Sequence, residues 1–115
     1  MALNAALVGD IGGTHTMLEL LINHDGVLRT AHELSYRSET FAGFDDLLDD
    51  FLALAPVKSA AARVDAACFS VAGPVEGHAS TLTNLNWIID APALSARLRI
   101  PDVLLLNDFA AVGHG

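Results

Sequence analysis

The chain has 115 residues, of which 52% are hydrophobic and 17% charged, a balance that suits one globular domain with a buried core. Its net charge is −8, with six Lys and Arg against fourteen Asp and Glu, which argues against nucleic-acid binding because neutralising phosphates needs clustered basic side chains. With one cysteine, the chain cannot form an internal disulfide. It has no apolar run of about 20 residues, which argues against a membrane span, and no basic N-terminal region, which argues against a signal peptide. We therefore expect a cytoplasmic protein.

The first half of the chain predicts a three-stranded antiparallel meander followed by a helix. Gly12-Gly13 marks the first turn and Asp25-Gly26 is typical of a hairpin turn. Apolar residues then recur at helical spacing, and the opposite helix face carries four aspartates that we interpret as a solvated face rather than a metal cluster. The predicted strands are 5–10, 17–23 and 27–34, and the predicted helix is 44–55.

The second half predicts two apolar strands, 64–72 and 103–107, separated by a loop or small hairpin and a short helix that Asp90 caps. A further helix is expected to begin at 109–112. Each apolar strand follows a helical crossover, so the two are expected to run parallel to each other and to the first strand. The prediction is one α/β domain with a mixed sheet in the order β-β-β-α-β-α-β. Cys68 and Trp87 are interpreted as core residues.

The first candidate functional motif follows strand 5–10. Two consecutive glycines allow a tight turn whose N–H groups can hold phosphate oxygens, and the flanking side chains add a carboxylate and two hydroxyls. The alternative is a plain glycine hairpin turn. The residues predicted to bind phosphate are Asp10, Gly12, Gly13, Thr14 and Thr16.

Two further motifs follow the other apolar strands. Asn107-Asp108 could provide a hydroxyl ligand and a general base, although Asn or Asp after a strand also caps a following helix. Gly73-Pro74 could bring backbone close to a ligand, and Asn84 could bind hydroxyls. Because the carboxyl ends of parallel strands share one sheet edge, where ligands of open α/β sheets bind, all three motifs are expected to converge. The five histidines show no zinc-binding spacing.

Four segments together resemble the bacterial glucokinases, within the broader hexokinase, ROK-type and actin-like ATPase superfamily. The segments are LVGDIGGTHT, SVAGPVEG, LTNLNWIID and LLLNDFAAVG, and the resemblance covers essentially the whole chain. It implies a ribonuclease-H-like fold and an ATP- and Mg²⁺-dependent transfer of phosphate to the 6-hydroxyl of glucose or a similar hexose, in the first step of glycolysis. Asp108 matches the family's catalytic base and Asn107 a sugar ligand.

The resemblance also assigns the remaining motif residues. Asp10, Gly12, Gly13 and Thr14 match the phosphate loop, with Asp10 near the magnesium, and Gly73 and Asn84 match segments close to the sugar. His15 stands where the family usually has Asn, which is a departure within the phosphate loop.

Residues 1–115 match the N-terminal lobe of a two-lobe kinase. The family's C-terminal lobe has no counterpart in the chain, so we expect this piece by itself to have little or no activity. Because family members are often dimers, a homodimer is a further expectation. The alternatives are a kinase for another hexose or donor, a sugar-sensing module of a ROK-type regulator, and a structural actin-like module.

Overall fold

A five-stranded mixed sheet forms the centre of the computed structural model, which describes residues 4–54, 64–83 and 85–107. In chain order its strands are β1 (Ala5–Ile11), β2 (His15–His24), β3 (Val27–Arg37), β4 (Val64–Val71) and β8 (Asp102–Asn107). Their spatial order is β3-β2-β1-β4-β8. Between β4 and β8 in sequence, three short strands form a second sheet: β5 (Val75–Glu76), β6 (Ala79–Leu82) and β7 (Trp87–Asp90). The helices among these residues are α1 (Phe44–Leu52) and α2 (Ala91–Leu98).

The predicted antiparallel meander is present as β1, β2 and β3. Its second turn is tight because Asp25 and Gly26 both adopt positive φ, at 54° and 86°, which lets His24 pair directly with Val27. The strands are longer than predicted: β2 begins at His15, and β3 continues to Arg37. This extra length brings the end of β3 beside the turn that joins β1 to β2.

The predicted parallel strands are also confirmed, since β4 pairs in parallel with both β1 and β8. The register places Ile11, Val71 and Asn107 in one row across the three strands. The carboxyl ends of the three strands therefore lie level with one another at one edge of the sheet.

The segment predicted as a loop or small hairpin is more ordered than expected. It forms the antiparallel β5-β6-β7 sheet, so three short strands that the prediction lacked precede α2 among the described residues. Strands of two to four residues are too short to show a reliable alternation of apolar and polar side chains.

The hydrophobic core lies on one face of the large sheet, beneath α1. Phe44, Leu47, Leu48 and Phe51 are buried on the inner side of this helix. The ring of Phe44 packs edge-on against Phe69 of β4, with centroids 5.3 Å apart. Trp87 is 1% exposed, which confirms its predicted place in the core.

The other face of the sheet is more open. Leu104 and Leu106 of β8 are 54% and 42% exposed. Cys68 of β4 shares this face and is half-buried, rather than fully buried as predicted. Burial raises the pKa of its thiol, which lowers the fraction present as the reactive thiolate.

The helix α2 begins as its sequence indicates. Asp90 caps it, because its Oδ1 accepts a 3.0 Å hydrogen bond from the Ala93 N–H. Arg99 ends the helix in a left-handed conformation, with φ 57°. The helix predicted at 109–112 lies outside the described residues. Within the described ranges, no helix is both long and apolar enough to span a membrane.

Candidate functional site

The candidate site lies at the sheet edge where β1, β4 and β8 end. One of the predicted motifs lies at the end of each strand. Because Ile11, Val71 and Asn107 share a row, the three motifs begin at the same level of the sheet. The Ala72 N–H donates a 3.0 Å hydrogen bond to the Ile11 carbonyl, which ties the segment after β4 to the end of β1. The prediction that the three motifs converge therefore holds as far as the described residues reach.

A cleft of about 450 Å³ opens at this edge, between the turn after β1 and the small sheet. One wall is Gly13 and the other comes from the segment after β4 and from β6. The lining residues are Gly13, Ala72, Gly73, Pro74, Glu76, Ala79, Thr81, Leu82 and Thr83. The cleft thus holds backbone, hydroxyl and carboxylate groups in a space large enough for a small ligand.

Gly73 has no room for a side chain. A Cβ atom at this position would lie 2.7 Å from the Thr81 carbonyl oxygen and 3.1 Å from the Ser80 hydroxyl oxygen. The backbone after β4 therefore rests directly on β6, and this close approach shapes the cleft wall.

Asn107 connects the ends of β8 and β4. Its side-chain Nδ2 donates a 2.7 Å hydrogen bond to the Gly73 carbonyl, and the contact is partly buried. The amide is thereby held beside the cleft wall. The structure brings Asn107 and Gly73 together, and their assignment to one sugar site stays a prediction.

The Gly12-Gly13 turn is held at its base by a hydrogen bond from the Gly12 N–H to the His15 carbonyl, 3.0 Å long. A Cβ at Gly12 would lie 2.9 Å from that same carbonyl oxygen, so the tight turn requires glycine there. Thr14 and His15 are exposed beyond the turn. A glycine turn with exposed polar neighbours beside a cleft is compatible with an anionic ligand.

The side chain of Thr16 is not exposed beside the glycine turn, as its predicted role in phosphate binding requires. Its side chain is fully buried, and its hydroxyl is 2.8 Å from the Ser38 hydroxyl. The hydroxyl supports the turn from inside instead of facing the cleft. The reason is the alternation of β2, which turns Thr16 to the same face as the buried Leu18 and Leu20.

Asp10 is exposed near the end of β1, where it pairs with Ser70 of β4. Its position one row before the glycine turn leaves a carboxylate close to the predicted phosphate loop. Within residues 4–54, 64–83 and 85–107, no three His, Cys, Asp or Glu side chains cluster as a metal site. A Mg²⁺ ion bound mainly by phosphates and water needs just one or two protein carboxylates, so Asp10 fits that kind of site.

The aspartates of α1 are exposed, and two of them lie near Arg97 of α2. Asp49 lies 2.7 Å from a guanidinium nitrogen of Arg97 on α2, and Asp45 lies 4.0 Å from another. All three side chains are about half exposed. The interpretation as a solvated face is correct, with an added ion pair to the neighbouring helix.

Sequence reasoning missed Ser38, which follows β3 in a single 3-10 turn. It contacts Gly12 and Thr14 of the glycine turn and Thr16 of β2. The hairpin at Asp25-Gly26 offered a signal, because counting pairs outward from a two-residue turn brings Ser38 opposite the Gly13-Thr14 segment. Glu76 and Thr81 of the cleft wall were also missed. Asn84 and Asp108, predicted as a sugar ligand and the catalytic base, lie outside the described residues.

The Glucokinase family model matches residues 7–115. A glucokinase from Nostoc sp. is 43% identical over 110 residues, covering 95% of this chain and 31% of that protein. A glucokinase from Synechocystis sp. is 42% identical over 115 residues, again with 95% of this chain and 32% of the relative. The chain therefore spans about a third of the length of these relatives.

Solved structures agree on the fold. The crystal structure of a glucokinase from an Antarctic psychrotroph superposes with a TM-score of 0.78 at 25% identity, covering 94% of this chain and 33% of that one. A glucokinase from Balamuthia mandrillaris, solved in complex with glucose, superposes with a TM-score of 0.59 at 20% identity over 92% of this chain and 30% of that one. The ribonuclease-H-like α/β fold is thus shared with these enzymes. From its family match and its relatives, the chain belongs to the glucokinase family.

Proposed function

We propose that the full-length protein containing this chain transfers the γ-phosphoryl group of MgATP to the 6-hydroxyl of glucose, the first step of glycolysis in the cytoplasm. The observation that carries the proposal is that the Gly12-Gly13 turn and the Asn107–Gly73 pair meet at one sheet edge beside one cleft. Phosphoryl transfer depends on placing donor and acceptor together, and this arrangement offers a separate position for each.

The sugar position lies along the wall formed by Gly73 and Asn107. The amide of Asn107 and the hydroxyls of Thr81 and Thr83 are groups that bind sugar hydroxyls, and the exposed Glu76 adds an acceptor. Asp108, the next residue after Asn107, is proposed as the general base that accepts the proton of the 6-hydroxyl. A base in that role must come within hydrogen-bond reach of the hydroxyl, and the end of β8 is the right edge for it.

The phosphate position lies at the turn after β1. Gly12, Gly13 and Thr14 would hold phosphate oxygens through backbone and hydroxyl groups, with Asp10 close to the Mg²⁺. The ion would neutralise charge on the transferred group. The chain's own residues hold the turn in shape and leave its outer side accessible to a ligand.

This chain spans about a third of the length of its relatives, and we propose that it provides one of the two lobes of the full-length kinase. Closing a second lobe over the cleft would exclude water as a competing acceptor. Residues 1–115 by themselves are therefore expected to show little turnover, and measurable hexokinase activity of this piece would contradict the two-lobe proposal.

The test is a coupled ADP-release assay on the full-length protein with a panel of hexoses and of phosphoryl donors. Turnover that requires both glucose and MgATP supports the proposal. Turnover with another hexose or donor would support phosphoryl transfer to a sugar but show that the proposed substrate is wrong. Saturable glucose binding without turnover would identify a sugar-sensing protein and reject the kinase proposal.

A further inference from the structure

The geometry points to Ser38 as a positioning residue that orients the phosphate-binding turn, an inference that rests on the proposed kinase function. Ser38 is fully buried and begins the 3-10 turn Ser38–Thr40, directly after β3. It lies 24 or more residues from the glycine turn in sequence, and it contacts that turn through both its backbone and its side chain.

Three hydrogen bonds join Ser38 to the turn region. Its backbone N–H donates to the Thr14 carbonyl at 3.0 Å. Its hydroxyl donates to the Gly12 carbonyl at 2.7 Å. Its hydroxyl oxygen also lies 2.8 Å from the Thr16 hydroxyl. Because the single Ser38 proton is used on Gly12, the proton between the two hydroxyls belongs to Thr16.

The result is a buried chain of donors that runs from Thr16 through Ser38 to the Gly12 carbonyl. Hydrogen bonds in such a chain polarise one another, and a buried polar group left unpaired is costly. Both effects hold the Gly12 carbonyl firmly toward Ser38.

The orientation of this carbonyl decides where the next N–H points. The described backbone contains no cis peptide, and in a planar trans peptide the C=O of one residue and the N–H of the next point in opposite directions. With the Gly12 carbonyl held by Ser38, the Gly13 N–H is directed away from Ser38. Gly13 lines the cleft, and we infer that its N–H serves an anionic ligand on that side.

Packing fixes Ser38 in turn. The 3-10 turn closes with a 3.1 Å hydrogen bond from the Phe41 N–H to the Ser38 carbonyl. The rings of Tyr36 and Phe41, on either side of Ser38, pack edge to face with centroids 5.5 Å apart. The 3-10 turn is thus attached to the hydrophobic core. Through its hydrogen bonds, Ser38 restricts the backbone of Gly12 and Gly13, which as glycines have wide conformational freedom.

The test compares four variants in the full-length protein: Ser38→Ala, Thr16→Val, Thr16→Ser and Ser95→Ala. Ser95 is the matched control, since its hydroxyl also donates to a backbone carbonyl, that of Ile100 at 2.5 Å, near the end of α2 and outside the cleft lining. The readouts are kcat and KM for MgATP and for glucose, the affinity for MgADP by calorimetry, and the unfolding temperature.

Ser38→Ala is expected to lower kcat/KM for MgATP and the MgADP affinity by roughly 5- to 100-fold, the range for losing a buried hydrogen-bond donor, with KM for glucose within about twofold of wild type. Thr16→Val keeps the Ser38–Gly12 bond, so it is expected to lower kcat/KM for MgATP and the MgADP affinity by less than Ser38→Ala does. Thr16→Ser keeps a hydroxyl at this position and is expected to give wild-type values of both quantities. Ser95→Ala lowers the unfolding temperature without changing the nucleotide parameters.

The inference is overturned if Ser38→Ala loses stability as Ser95→Ala does while its MgADP affinity stays at the wild-type value. Wild-type protein that binds MgADP but phosphorylates no sugar would reject the proposed function, and the calorimetric comparison would still decide the role of Ser38. Wild-type protein that binds no nucleotide would reject both.

Discussion

The Nδ2 atom of Asn107 lies 2.7 Å from the carbonyl oxygen of Gly73, so that the last residue of β8 is joined to the segment that follows β4. Because a carbonyl accepts and does not donate, the nitrogen of the amide must face Gly73, and the side chain cannot flip without losing the bond. The tie keeps two neighbouring strand ends at a fixed separation beside the cleft.

Replacing Asn107 by Asp should break this tie with almost no change in shape. A carboxylate cannot donate to the Gly73 carbonyl, and its negative charge would lie against an acceptor. We expect kcat/KM for glucose in the full-length protein to fall by about 10- to 100-fold, corresponding to a lost hydrogen bond and an added repulsion. Steady-state kinetics would check this, and an unchanged kcat/KM for glucose would show that the tie has no part in the site.

Gly73→Ala should destabilise the protein by about 1–3 kcal/mol, the usual cost of forcing extra volume into a packed position. The new Cβ would be 2.7 Å from the Thr81 carbonyl oxygen, so β6 or the cleft wall must shift. Gly43→Ser is the control, because no atom lies within 4 Å of a Cβ there and serine is a better N-cap for α1 than glycine. Urea unfolding should show a loss for the first variant and no loss for the second; equal stability of Gly73→Ala and wild type would contradict the close packing.

The titration of Tyr36 should lower the free energy of unfolding at high pH. Burial, and then the neighbouring Asp50 carboxylate, raises the pKa of Tyr36 from 10.0 to about 12. Between these two values the folded protein holds a proton that the unfolded chain has released, so the free energy of unfolding falls as the pH rises from 10 to 12. Tyr36→Phe removes this contribution, and unfolding curves across that window should be less steeply pH-dependent for the variant. Parallel pH profiles for the two proteins would show that the tyrosine titrates normally.

The ion pair between Arg97 and Asp49 should contribute little. The two side chains are 2.7 Å apart at their closest polar atoms but about half exposed, so water and salt weaken their attraction. We expect Asp49→Asn to lower the free energy of unfolding by at most about 1 kcal/mol, and the difference from wild type to vanish in about 1 M salt. A larger loss that persists in high salt would mean that this helix face has a role beyond the ion pair.

Much of the fold could be predicted because several elements carry local signals. Asp25-Gly26 sets a hairpin turn by its positive φ values, and Asp90 caps α2 by a bond within one turn of helix. The parallel arrangement of the apolar strands followed from the helices between them. The turn and the cap depend on near neighbours in sequence, and the parallel pairing, although it joins distant strands, follows from the positions of the helices along the chain. Residue types and spacing were therefore enough.

The remaining features depend on contacts that no local sequence pattern indicates. Ser38 meets Gly12 across 26 positions, and Gly73 rests on Thr81 because two sheets happen to approach there. Thr16 looked like a ligand from its place beside two glycines, whereas the pleat of β2 turns its hydroxyl inward to Ser38. A motif locates a site along the chain, but tertiary packing decides which of its side chains face the ligand.

The most direct measurement compares Asp108→Asn with Asp90→Asn in the full-length protein, using ADP release with glucose and MgATP. Both aspartates directly follow or end a strand, and Asp90 caps a helix, a role that asparagine also performs. If Asp108 is the general base, Asp108→Asn lowers kcat by about 10²–10⁴-fold, while Asp90→Asn stays close to wild type. Wild-type turnover that survives Asp108→Asn would contradict the account, because Asp108 would then be no more than a helix cap.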